Sequence, residues 1–171
     1  MYDSAALLAG SEAALADAID EMSAELYHYA VGILLSAADA EDAVQHAFIQ
    51  LWQQRHRIKD PAAVRSYLYR CTYRACAYAL RRRKRFYTPP REELRVPMSD
   101  ELVSALLELT AEERAIVYSR AVEDVSYAEL AEQFGLKEAT VRKKYERAKK
   151  KLAAILTPRS ETEEKHDEFF G

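Results

Sequence analysis

Hydrophobic residues recur every three or four positions through most of the first 85 residues, the spacing of one helix face. Across residues 11–36 they fall at Ala14, Leu15, Ala18, Ile19, Met22, Leu26, Tyr29, Ala30, Ile33 and Leu34. This predicts an amphipathic helix, in one piece or two, with Ser11 as N-cap. A second predicted helix covers residues 40–54, with Ala43, Val44, Ala47, Phe48, Leu51 and Trp52 on one face. Asp39, Glu41 and Asp42 stand at its start, where the positive end of the helix dipole favours acids. Asp60-Pro61 is a start signal, Asp capping and Pro in the first helical position. The helix it opens carries Val64, Tyr67, Leu68, Cys71, Ala75 and Leu80, and ends in the basic run of residues 81–85.

The periodicity then lapses. Residues 88–99 hold Pro89, Pro90 and Pro97 and read as a flexible linker between two units, 1–87 and 100–156. Four short helices are predicted beyond it, over 100–109, 111–122, 127–134 and 138–156. Thr110 caps the second, with Glu113 three residues on, and Ser126-Tyr127-Ala128-Glu129 fits a capping box for the third. Gly135 ends that helix. Residues 157–171 form an acidic tail, expected to fray. Only 4 Gly and 5 Pro in 171 residues, with no Asn, argue against a fold of many tight turns, so the class is all-α.

Charge changes the picture more than composition does. The net charge of −3 hides a division into blocks. Residues 1–50 hold nine acids and no Lys or Arg, whereas residues 51–87 hold eleven bases and one acid. Residues 88–136 are again acidic, and residues 137–151 hold eight bases against two acids. Two basic blocks between acidic ones predict two anion-binding surfaces held apart. Cys71 and Cys76 have no metal-type spacing and read as small buried thiols in a reducing compartment. No stretch approaches the ~20 apolar residues needed to span a membrane, and the acidic N-terminus lacks a secretory signal's basic flank. A cytoplasmic location follows as the expectation.

A capped short helix, a Gly turn and a longer basic helix make a helix-turn-helix pattern. Val125, Leu130, Ala131, Phe134, Leu136 and Val141 can form its seam. The last helix offers Lys137, Glu138, Thr140, Arg142, Lys143, Lys144, Arg147 and Lys150 to base edges and phosphates. A basic run alone would more often be a solvated helix face; the cap, turn and seam together favour DNA. In residues 65–85 aromatics and bases interleave: Arg65, Tyr67, Tyr69, Arg70, Tyr73, Arg74 and Tyr78, then the basic run. Bases of a single strand stack on such rings while arginines hold phosphates, although each tyrosine taken alone is as readily a core residue.

Three blocks, AEDAVQHAFIQLWQQ (40–54), SYLYRCTYRACAYALRRRKR (66–85) and VEDVSYAELAEQFGLKEATVRKKYERAKKKL (122–152), together resemble extracytoplasmic-function (group 4) sigma factors, the smallest bacterial RNA polymerase sigma subunits. The resemblance spans roughly residues 20–156 and implies a region 2 helical bundle and a region 4 helix-turn-helix. By it, Asp42, Gln45, His46, Phe48 and Trp52 dock on the polymerase clamp. Arg55, Arg57 and Lys59 belong to a loop that captures an extruded base. Tyr67, Arg70, Tyr73, Arg74, Arg81 and Arg82 engage the melted minus-ten strand, and the last helix reads the minus-thirty-five element while shorter helices before it contact the polymerase flap. Tyr67 stands where the family commonly has Trp, Arg74 where it has Asn, Tyr78 where it has Asp, and Lys137 replaces a capping Ser or Thr.

The implied activity is non-catalytic: binding to single-stranded promoter bases drives strand separation, and the polymerase does the chemistry. The implied partners are core RNA polymerase, promoter DNA and an anti-sigma factor, with no cofactor. Two rivals stay open on sequence grounds, a stand-alone helix-turn-helix regulator with an N-terminal dimerisation domain and a protein-only interaction module. An enzyme is not expected, because His28, His46, His56 and His166 lie on separate segments and no Gly-rich phosphate loop is present. The acidic stretch 161–168 is either a solvated end or a cover for a basic surface.

Overall fold

The computed structural model describes residues 1–86 and 98–157, with backbone alone at 84–86. Most of the expected linker and all of the tail beyond Thr157 lie outside the described residues. Among the described residues there are eight α-helices, two single-turn 3-10 helices and no strand. The first half contains α1 (Ser4–Leu8), α2 (Glu12–Leu34), α3 (Ala37–Gln54) and α4 (Val64–Phe86), with the 3-10 turns at Arg55–Arg57 and Pro61–Ala63. The second half contains α5 (Asp100–Leu107), α6 (Ala111–Ala121), α7 (Tyr127–Phe134) and α8 (Glu138–Leu156).

The caps do what the sequence asks of them. The side chains of Ser11, Ser36, Asp60 and Ser99 each accept from a backbone N–H in the first turn they precede. Thr110 and Ser126 close full capping boxes with Glu113 and Glu129. Gly135 ends α7 at φ 65°, the left-handed region that glycine enters without a Cβ penalty. Lys137 precedes α8 without any side-chain cap. Between Ser11 and Leu34 nothing breaks the helix, so α2 is one piece. The short α1 is an addition to the predicted elements: five residues are too few for a period to register.

Helices α2, α3 and α4 form a bundle around Met22, Leu26, Ile33, Ala47, Leu51, Val64 and Leu68, with Leu7 of α1 fully buried against it. Cys71 and Cys76 are free thiols in this core, and burial pushes the Cys76 thiol up to about 12. In the second half, Ile116, Leu130 and Val141 make the helix-turn-helix seam, flanked by Val125, Ala131, Phe134 and Leu136 as expected.

The two halves of the chain pack on each other. Leu35, at the α2–α3 corner, adopts φ 53° and is buried with Val103, Leu106, Leu109 and Ala148 of the second half. A non-glycine residue there is strained, and burial of the leucine in the other half's core offsets that cost. Tyr118 of α6 packs on the fully buried Tyr29 with ring centroids 5.6 Å apart. The carbonyls at the C-terminus of α2, left without helical partners, are taken by two arginines. Arg114 of α6 donates to Ile33 (2.8 Å) and also to Leu106 and Leu109 (3.1 and 2.7 Å). Arg83 of α4 donates to Leu34 (3.1 Å) and pairs with Asp39.

Candidate nucleic-acid and polymerase interface

Helical periodicity sorts the aromatics of α4. Leu68, Cys71, Thr72 and Cys76 point inward. Tyr69 is also buried, edge-on to Tyr29 at 4.9 Å, with its hydroxyl on Glu25. Tyr67 and Arg70 are half-buried, while Arg74, Tyr78, Arg81 and Arg82 are exposed. Tyr73 stands differently from expectation. Its ring is half-buried under Phe134 of α7, centroids 4.7 Å apart, because the second half is seated on α4.

The loop before α4 carries Arg57 and Lys59 in solvent, whereas Arg55 is half-buried with its guanidinium 4.0 Å over the Trp52 ring. On α3, Asp42, Gln45 and His46 are exposed and Trp52 is half-buried. Phe48, expected on the docking face, is 7% exposed and belongs to the core, since its position faces α2 and α4. Ile49, 52% exposed, is the apolar residue this face presents instead, and sequence reasoning passed over it.

Helices α3 and α4 together form a groove of about 710 Å³. Asp39, Asp42, His46 and Gln50 line one wall; Tyr67, Arg74, Tyr78 and Arg82 line the other. The expected polymerase-facing and minus-ten sets are thus contiguous, acidic wall to basic wall.

Helix α8 packs through Val141 and Ala148, leaving Lys137, Glu138, Arg142, Lys143, Arg147 and Lys150 exposed and Thr140 half-buried. Arg142 pairs with Glu138 (3.4 Å) and lies 4.6 Å over the Tyr127 ring. Lys144, expected on the DNA face, is turned to the bundle, where Glu112 holds its ammonium at 2.9 Å. Arg147 reaches Glu113 at 3.2 Å. Burial alone would raise the Glu113 carboxyl, but the Thr110 amide, Lys151 and Arg147 outweigh it and hold the group below the ordinary carboxylate range.

Glu25 and Glu123, from opposite halves of the chain, share one arginine. Arg65 pairs with Glu25 and with Glu123 (3.0 Å). Burial, then the charge of Glu25, raises the Glu123 carboxyl, and Arg65 only partly offsets this. A raised acid contributes fully below the ordinary glutamate value, and its contribution declines as pH rises through the raised one. The difference in melting temperature between the parent protein and Glu123→Gln is expected to change in that sense as pH rises from below the ordinary glutamate value towards neutral. A constant difference would show that the cluster does not titrate there. No linear signal marks these acids, because they stand 98 positions apart in the chain.

Comparison with known proteins places both halves of the chain in known domain families. Residues 18–86 match sigma-70 region 2 and residues 99–152 match sigma-70 region 4. Two curated relatives come from Mycobacterium tuberculosis. The ECF RNA polymerase sigma factor SigM is 32% identical over 130 residues, 71% of this chain and 66% of the relative. The ECF RNA polymerase sigma factor SigL is 32% identical over 164 residues, 86% of this chain and 92% of the relative. Among solved structures, CnrH in complex with the cytosolic domain of CnrY superposes with a TM-score of 0.72 at 25% identity, covering 92% of this chain and 96% of that one. RpoE from Bartonella quintana, solved with the anti-sigma factor NepR, shares the fold at 19% identity and a TM-score of 0.68, covering 84% of this chain and 98% of that one. The fold is that of a sigma-70 type factor with its region 2 and region 4 domains. The chain belongs to the ECF RNA polymerase sigma factors.

Among the described residues no helix is long and apolar enough to cross a membrane, and no cluster of His, Cys, Asp and Glu could hold a metal ion.

Proposed function

We propose that this chain is a group 4 sigma factor that directs RNA polymerase to selected promoters and opens them. Residues 1–87 would dock on the polymerase clamp through Asp42, Gln45, His46, Ile49 and Trp52. They would hold the melted minus-ten strand with the loop 55–60, Tyr67, Arg70, Tyr73, Arg74, Arg81 and Arg82. Residues 88–99 would link them to residues 100–156, whose shorter helices meet the flap while α8 lies in the upstream major groove. The reading rests on one observation: a single chain matching both regions presents an exposed basic helix face in each. Family membership argues against the stand-alone regulator.

Opening in this scheme is binding work. Stacking of unpaired bases on aromatic rings, with arginines on the phosphates, favours the separated strands. The packed form of the chain cannot do this while reading both elements. The minus-ten and minus-thirty-five elements lie about 25 base pairs apart, ~85 Å along B-DNA at ~3.4 Å per pair. Phe134 of region 4 nevertheless touches Tyr73 of region 2. The halves must therefore separate on the polymerase, and separation uncovers Tyr73. An anti-sigma partner that holds the packed form fits the same geometry, and both solved relatives above carry a bound partner.

Reconstitution with core polymerase and mapping of transcript 5′ ends tests the function. Tyr73→Ala is expected to slow opening of duplex promoters about tenfold, the scale of one lost stack, with full recovery on a template already melted at minus-ten. Normal opening by this variant would remove Tyr73 from the assigned set, and failure of the parent chain to bind core polymerase would overturn the function.

A further inference from the structure

Helix α1 and the turn after it precede residues 18–86, the stretch matched to sigma-70 region 2. They are nevertheless built in. Asp3 caps α1 by accepting from Ala6 N–H at 2.9 Å, the Tyr2 amide donates to Glu21 at 2.7 Å, and Leu7 is fully buried in the bundle core. Helix α1 touches both 3-10 turns that precede α4, Arg55–Arg57 and Pro61–Ala63. Gly10, just after α1, has φ 99°, a conformation that L side chains rarely adopt. A Cβ there would meet the Arg55 guanidinium, 3.6 Å from Nη2 and 3.7 Å from Nε. The same guanidinium lies 4.0 Å over the Trp52 ring and donates through Nη1 to the Trp52 carbonyl. Arg55 is thus anchored on Trp52, and the side chain that Gly10 lacks would lie against its guanidinium.

We infer that α1 and Gly10 are a positioning element for promoter opening. They seat Arg55 on Trp52 and so fix the loop of residues 55–60, which presents Arg57 and Lys59 to the melted strand. The inference rests on the proposed role of that loop. A planar, weakly hydrated guanidinium stacks well on an indole, and the Ile58 amide closes the turn on the Arg55 carbonyl at 3.1 Å. Lifting the Arg55 side chain off Trp52 removes the anchor that ties this turn to the end of α3. Valine at position 10 would both strain the backbone and direct its methyl groups at the guanidinium.

The test uses the full chain with core polymerase, comparing Gly10→Val, Leu7→Ala, Arg55→Ala and Gly10→Val with Arg55→Ala. For Gly10→Val, core affinity and upstream duplex binding are expected within about twofold of the parent, while opening of a duplex promoter slows about tenfold, one base contact in scale. Opening recovers on a template premelted across minus-ten. Leu7→Ala is expected to slow opening in the same selective way by loosening α1. The Gly10→Val loss should vanish in the Arg55→Ala background, as coupled residues require.

Unchanged opening by both Gly10→Val and Leu7→Ala overturns the inference. Equal losses in all three readouts, or full additivity with Arg55→Ala, also overturn it, because they mark a purely structural residue. A parent chain that binds core polymerase but opens no promoter defeats the proposed function, and this inference with it.

Discussion

Arg114→Ala is expected to remove about 3–5 kcal/mol of folding free energy, measured by urea or thermal melting of the full chain. The side chain is 8% exposed and donates to three backbone carbonyls, of Ile33, Leu106 and Leu109. Alanine would take the side-chain donor from all three in a nearly closed site, and only the Leu106 carbonyl would keep another partner, the Leu109 amide at 3.1 Å. Burial, then the neighbouring charge of Arg83, lowers the guanidinium to about 10, so it stays charged at neutral pH. Lysine is not expected to rescue, because one ammonium cannot span carbonyls that the planar fork reaches together. Since Ile33 belongs to α2, Leu106 to the last turn of α5 and Leu109 to the link between α5 and α6, the variant should also expand the chain in small-angle scattering. A loss under about 1 kcal/mol, within the range of an ordinary surface change, would show that the carbonyls find other partners.

Reversing two charges on α8, Lys143→Glu with Lys150→Glu, is expected to weaken holoenzyme binding to the upstream duplex about 100-fold at low salt, and to reduce the slope of log affinity against log salt by about two. Both lysines are exposed, while α8 packs through Val141 and Ala148, so the helix-turn-helix should keep its stability. Arg147 is a poorer choice for this test. Its guanidinium lies 3.2 Å from the buried Glu113, and a glutamate there would set like charges together and unfold what it was meant to probe. Anisotropy with labelled duplex across a salt series reads both quantities. An unchanged affinity would remove α8 from the DNA contact.

Much of the architecture was legible in the chain because its signals are local. Ser11, Asp60, Thr110, Ser126 and Gly135 act on backbone groups within four residues, and the structure places each where the pattern predicts. The seam of Leu130 and Val141 follows from helical period alone. The tyrosines of α4 show the other case. Tyr69, Tyr73 and Tyr78 are the same residue type on one helix, yet one is buried on Tyr29 and Glu25, one lies under Phe134 and one is 58% exposed. Their environments come from α2 and α7, which no spacing within α4 reveals.

By itself the sequence determined the helices after α1, most of their ends and the two basic blocks, because capping, periodicity and charge blocks need only neighbours along the chain; the family followed from the resemblance of three sequence blocks. The tertiary structure alone decided that the two halves close on each other, that Leu35 bridges their cores, that Phe48 and Lys144 turn inward, and that Gly10 backs Arg55. Those outcomes depend on contacts between residues far apart in the chain, such as Arg114 and Ile33, whose energies arise only when burial removes water from both partners.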